Sequence, residues 1–193
     1  MKLYFTNSNP LTCAEDLDDR LLAVVPQRVK DMLRMLLVTD FTEVPVMNWA
    51  RESQSNAYWV IAHGVSACEE YSKRTGKVAA ERDFIEKFPI IQVNRLPDTR
   101  VDRSNLSKER WFPKSFPVLI GRESMSDVFI GYRVLLNDEW DAPDAPPVVW
   151  TNRAPPKWTR WKYIREEVKS DEVAHRYHYE QRNERVRLGD DKA

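Results

Sequence analysis

The sequence is poor in the residues that carry the commonest chemistries. Its two cysteines, Cys13 and Cys68, lie far apart at no metal-ligand spacing, which excludes a disulfide scaffold or a zinc ribbon and fits a reduced, cytosolic protein. Of its three histidines, His175 and His178 share a helical face but lack a third ligand, and His63 sits in an apolar stretch where a satisfied core imidazole is the simpler reading. No glycine-rich phosphate loop, dinucleotide fingerprint, nucleophile elbow or zinc motif occurs, so nucleotide-driven and zinc chemistry are not expected, nor any metal or cofactor. No apolar run approaches the length that spans a bilayer, and the start, MKLYFTNSNP, lacks the apolar stretch of a secretory signal. The formal net charge is zero, which excludes polyanion binding by bulk charge.

What is present is a globular composition. The 193 residues are 42% apolar and 31% charged, enough for one domain with a substantial core. Charge is segregated along the chain. Residues 151–165, TNRAPPKWTRWKYIR, are basic and free of acids, whereas NDEWDAPDAPP just before them is acidic and free of bases. A local basic surface follows from that arrangement.

Periodicity predicts helices. Thr12 and Glu15 match a capping box, opening a helix through Leu17, Leu21 and Val24 to a break near Pro26. A second helix then runs to about Val38, with Val25, Val29, Met32 and Leu36 as its stripe. A third runs from about Ser55 to Lys73, with Tyr58, Ile61, Ala62, Val65 and Cys68 on one face and Gly76 as its stop. Residues 79–87 read as a further helical piece, LYFT as a short strand, FPIIQV as extended and 94–117 as a long loop. VFIGYRVLLNDEW fits either strand or helix, and prolines make DAPDAPPVVW irregular. The expected fold is mainly α: a compact single-domain helical fold with long irregular loops and at most short strands. It covers residues 1–163, with a charged C-terminal helix or tail at 164–193.

Three groups of residues carry candidate chemistry. In NWARESQSNAYW, residues 48–59, a helix start near Ser53 beside Arg51 suits a phosphate, and Asn56 offers an amide for a base edge. Trp49, Tyr58 and Trp59 supply rings that either stack on a base or fill the core. In the basic stretch, Arg153, Lys157 and Trp158 alternate charge with an aromatic plane, the pattern of a nucleic-acid groove or of a solvated loop. Asp16, Asp18 and Asp19, near Asn7 and Asn9, offer carboxylates for acid–base work, or acids placed to favour a helix dipole. Glu69 and Glu70 precede Lys73 and Arg74 at the spacing of ordinary helical ion pairs.

Taken in order, these pieces resemble a group of small phage DNA-modification proteins. The shared elements are Asn9-Pro10 to Cys13-Ala14, Leu17-Asp18-Asp19, and Trp49, Arg51, Ser53 and Asn56. They continue with Glu70-Tyr71 and Arg74, Tyr132-Arg133, and Trp150, Arg153, Pro156 and Trp158. The set spans roughly residues 5 to 160 and is more distantly similar to the pyrimidine-dimer DNA glycosylases of the phage endonuclease V type. That resemblance implies a helical protein that extrudes a nucleotide from the duplex. Two positions depart from it. Lys2 is too bulky for the methionine removal that exposes the family's attacking amine, and its catalytic glutamate corresponds to Arg28. The implied activity is therefore transfer of an amine or amino acid to an activated 5-hydroxymethyluracil in phage DNA: thymidine hypermodification in the host cytoplasm, serving evasion of restriction. A glycosylase-like repair enzyme and a non-catalytic nucleic-acid-binding accessory protein are the alternatives. The resemblance points to Asp18 or Asp19 as base and to Arg51, Ser53, Asn56, Arg74, Arg133, Arg153, Lys157 and Trp158 as DNA and phosphate ligands. Asn7, Asn9, Trp49 and Trp59 would line the base pocket. The partners expected are DNA and a small amine donor, and no membrane.

Overall fold

The computed structural model describes residues 2–38, 44–97, 113, 115–117 and 127–159. The expected tail at 164–193, the histidines 175 and 178 and the basic residues beyond Thr159 lie outside the described residues. Met1–Trp158 form one compact unit, to which every described residue except Thr159 belongs.

The fold is mainly helical, and among the described residues there is no strand. Its helices are α1 (Pro10–Asp16), α2 (Asp19–Val38), α3 (Pro45–Glu52), α4 (Gln54–Thr75), α5 (Arg82–Glu86), α6 (Ile90–Val93) and α7 (Val128–Asp141). Helix α4 is the hub and touches α1, α2, α3, α5 and α6. The stretch left open between strand and helix is thus α7, capped by Asp127, whose carboxylate accepts from the Phe129 amide at 2.8 Å.

Local chemistry sets the boundaries, in places differently from the periodicity. The cap of α1 is Asn9, not Thr12: its Oδ1 accepts the Leu11 amide at 2.9 Å, and Pro10 fills the first position, where no N–H is needed. The chain breaks at Leu17 (ψ 142°), and Asp18 starts α2 by accepting the Leu21 amide at 2.8 Å. Pro26 therefore lies inside α2 and does not end it. Its missing hydrogen bond is outweighed by the stripe around it, since Leu21, Leu22, Val25, Val29, Met32 and Leu33 are all buried. Ser53 (φ −158°, ψ 157°) is the corner between α3 and α4, so the 48–59 stretch spans two helices. Gly76 ends α4 in the left-handed region (φ 71°), as a C-terminal glycine should. Residues 90–93 form a single helical turn rather than an extended segment. With no strand among the described residues to pair with, the Gln92 and Asn94 amides bond locally to the Pro89 and Ile90 carbonyls.

The buried face of α4 is rotated from the expected one. Ala57, Val60, His63, Gly64, Ala67, Glu70 and Arg74 are buried, whereas Ala62 is exposed. Gly64 allows the close approach of α2: a Cβ there would lie 2.5 Å from Val29 Cγ1. Leu3, Tyr4, Phe5 and Thr6 are buried but belong to no helix or strand, so the expected short strand at LYFT is not formed. Phe5 meets Trp49, Trp59, Phe116 and Tyr132 at ring separations of 4.8–5.5 Å, forming the aromatic core.

His63 belongs to that core. It stacks on Trp59 at 5.0 Å, and its Nδ1 lies 3.1 Å from the Pro10 carbonyl, so Nδ1 carries the hydrogen. Burial pushes its pKa down to about 4, against the Pro10 carbonyl, which favours the charged form. The unfolded chain takes up this proton near pH 6.5, whereas the folded chain resists it down to about pH 4. Stability is therefore lost as pH falls through that window, by about 3 kcal/mol across it. Buried Asp16 and Asp18, whose carboxyls burial pushes up, act in the opposite sense. Comparison with His63→Gln isolates the histidine: urea midpoints taken at about pH 7 and about pH 5 should differ less in the variant than in the native chain.

Candidate functional site

Residues from three distant parts of the sequence close on one another where α1 ends. The last carbonyls of α1 need donors, and Arg74, near the end of α4, supplies them. Its Nη2 donates to Glu15 O at 2.9 Å and its Nη1 to Leu17 O at 2.7 Å. The same guanidinium donates to Glu70 Oε1 at 2.8 Å and to Asp19 Oδ1 at 3.0 Å, and its side chain is 1% exposed. Arg153 grips Glu70 through both carboxylate oxygens, at 2.6 and 3.2 Å, and reaches Glu15 Oε1 at 2.8 Å. Asp19 opens α2 and accepts from the Thr151 amide at 3.0 Å and the Thr151 hydroxyl at 2.5 Å. Asn152 follows in the left-handed region (φ 58°), a conformation asparagine tolerates, and its Nδ2 donates to Arg74 O at 3.4 Å.

Tryptophans lie beside this ionic network. Trp150 Nε1 donates to Asp16 O at 3.3 Å, and Trp158 Nε1 to Asp16 Oδ2 at 3.2 Å. Trp158 stacks on Trp140 at 5.7 Å, and Trp140 meets Trp150 edge-on at 5.1 Å. Arg133, whose Nε donates to Thr6 O at 2.9 Å, lies over the Trp158 ring at 5.9 Å.

The carboxyls differ in character. Burial raises Glu70's proton affinity, but the hydrogen bonds from Arg153 and Arg74 outweigh it and hold the carboxyl below its ordinary value. Burial dominates at Asp16, against the neighbouring Thr6 hydroxyl, the Trp158 indole N–H and the charge of Arg133, so its carboxyl is pushed up. Asp18 is likewise raised by burial, opposed by the Leu21 amide and Arg20. Among the described residues no three histidine, cysteine or acidic side chains are grouped to hold a metal ion.

The structure thus brings together Asp19, Arg74 and Arg153, with Asp18 adjacent in sequence to Asp19, and it gathers Arg133 and Trp158 at Asp16. Lys157 is exposed on the same segment. The remaining candidates sit elsewhere. Arg51 Nη2 donates to Met35 O at 2.5 Å, near the end of α2. Ser53 accepts the Asn56 amide at 3.1 Å, and Asn56 Nδ2 donates to Trp49 O at 2.7 Å. With the Gln54 amide bonded to Pro97 O at 3.0 Å, donors at the start of α4 are engaged within the fold rather than held out to a phosphate. Trp49 and Trp59 are 4% and 2% exposed, so their faces serve the core and not a base. Asn9 is a helix cap, and Asn7 is tied to Cys13 Sγ through its amide at 3.2 Å and its carbonyl at 3.0 Å.

Sequence reasoning gave Glu15 a capping role and Glu70 an ordinary helical ion pair, and it passed over Thr151. The available signal was the placement of Glu70 and Arg74 on the same side of the helix as Ala67 and Gly64, where an ordinary solvated pair would not sit.

No helix of the described residues is long and apolar enough to cross a membrane. Comparison with known protein families, curated proteins and solved structures finds no match.

Proposed function

We propose that this chain is a phage DNA-modifying enzyme acting on a pyrimidine base in DNA. It transfers an amine or amino acid to an activated 5-hydroxymethyluracil in the host cytoplasm and so protects the DNA from restriction. One observation carries the reading. The separate motifs behind the resemblance meet where α1 ends: Leu17, Asp19, Glu70, Arg74 and Arg153 in one bonded cluster, and Trp150 and Trp158 on Asp16 beside it. Such a transfer requires positioning, a carboxylate to accept the amine proton, and cations for the departing diphosphate. Extrusion of the base costs a few kcal/mol, offset by contacts made in the site.

For a glycosylase, the position corresponding to the catalytic glutamate holds Arg28, which donates to Lys2 O at 3.1 Å; a guanidinium cannot replace that carboxylate. A non-catalytic DNA-binding protein has one observation in its favour, since Arg74 and Asp19 make their bonds within the fold. Nucleoside mass spectrometry of phage DNA made with and without the gene separates the readings. A mass added to thymidine that disappears with the gene supports the transferase. Identical nucleosides in both samples eliminate it.

A further inference from the structure

We propose that Asp16, rather than Asp18 or Asp19, accepts the amine proton, with Trp158 holding its carboxylate and Arg133 facing it. This deepens the transferase reading and rests on it.

The three aspartates are separated by what they already do. Asp18 has 1% of its surface exposed and holds the Leu21 amide at the start of α2. Asp19, though its side chain is 28% exposed, already has both oxygens engaged, by the Arg74 guanidinium and by the Thr151 amide and hydroxyl that anchor the 149–153 segment. Asp16 neither caps a helix nor pairs with the Glu70 network. It is the last residue of α1, its Oδ2 is steered by a single indole N–H, and 8% of the residue reaches solvent. The neutral Thr6 hydroxyl is buried beside it. Charged and titratable groups acting on it are Arg133 from α7 and Glu15 and Cys13 from α1. Burial outweighs the donors and raises its proton affinity, which suits a carboxylate base.

In the step, the donor's amine nitrogen attacks the methylene carbon on C5 of the activated uracil. The C–N bond forms as the C–O bond to diphosphate breaks, and the diphosphate leaves with the bonding electron pair. The nitrogen's proton passes to Asp16, which later releases it to water. Trp158 acts as a positioning residue: its N–H fixes which carboxylate oxygen is bonded, and its stacking on Trp140 fixes the indole.

The test uses phage lacking the gene, complemented with the full chain or its variants. Asp16→Asn should reduce modified thymidine by about 100-fold or more while melting temperature and DNA affinity stay near those of the native chain. Trp158→Phe keeps the ring and removes the donor, so carbon NMR should show the Asp16 carboxyl titrating at higher pH than in the native chain. Absence of modified thymidine with the native chain overturns the transferase reading, and the role of Asp16 with it. Native levels of modification by Asp16→Asn overturn the role of Asp16 alone. If Asp16→Asn does not fold, Trp158→Phe decides: an unmoved Asp16 titration together with undiminished modification overturns the proposal.

Discussion

Replacing Glu70 by alanine is expected to lower stability by about 3–5 kcal/mol, the range for breaking a buried ion pair by deleting one partner. The size comes from what is left behind. Arg74, 1% exposed, and Arg153, 31% exposed, both point at the vacated carboxylate position. Arg74 would remain desolvated with only Asp19 to balance its charge. For a chain of this length that loss corresponds to a fall in melting temperature of roughly 10 °C. Arg153→Met should cost less, about 1–3 kcal/mol, because Glu70 keeps Arg74 and the lost group already touched water. The sign of the acid dependence follows. Glu70's folded pKa lies below its unfolded value of 4.5, so its contribution is intact above that pH and disappears as pH falls through the folded value. Thermal melts of both variants near neutral pH would check the ranking. Equal costs would show that Arg153, not Glu70, anchors the group.

Trp59→Ala is expected to destabilise by a similar amount, about 3–5 kcal/mol, through the cavity it opens. The ring touches Phe5 at 4.8 Å, His63 at 5.0 Å, Phe116 at 5.5 Å and Trp49 at 6.0 Å, and its Nε1 donates to Ser8 O at 2.7 Å. Trp59→Phe should retain most of this, losing the hydrogen bond and part of the ring, for about 1 kcal/mol or slightly more. On the proposed function, DNA affinity per folded molecule should be unchanged in either variant, because the faces of Trp59 are occupied by neighbours. Denaturant unfolding and DNA titrations well below the melting temperature measure the two effects separately. A folded Trp59→Ala protein that no longer binds DNA would return the ring to the base pocket.

These cases show why helices were legible and the site only partly so. The stripe of α2 is apolar along its length, so Val25, Val29 and Met32 identify its inner face without help. On α4 the inner face carries His63, Glu70 and Arg74, while apolar Ile61 is only half-buried and Ala62 is exposed, and a hydrophobic count turns the helix the wrong way. Pro26 illustrates the same limit: a rule about one residue yields to the packing of its neighbours. Glu70 was legible beside Arg74 as a pair four residues apart on one helix, but nothing local to Arg153 reveals the carboxylates it binds. Those partners lie 83 and 138 residues from Arg153 along the chain, distances over which only the fold brings them together. Asn56 and Ser53 have a local use that the sequence pattern did not bring out. The polar groups suited to reading a base are also those that close a helix corner, and the corner at Ser53 uses them.

The buried strip Leu3–Thr6 also bears on how the chain is made. Tyr4 donates to Glu139 at 2.7 Å across 135 residues, and Arg133 reaches Thr6 O across 127. At a ribosomal pace of roughly 5–20 residues per second, the strip emerges on the order of ten seconds before α7. Trp49 and Trp59 can meet Phe5 earlier in that interval, so α7 supplies the last part of the cover and completes the burial of Leu3–Thr6.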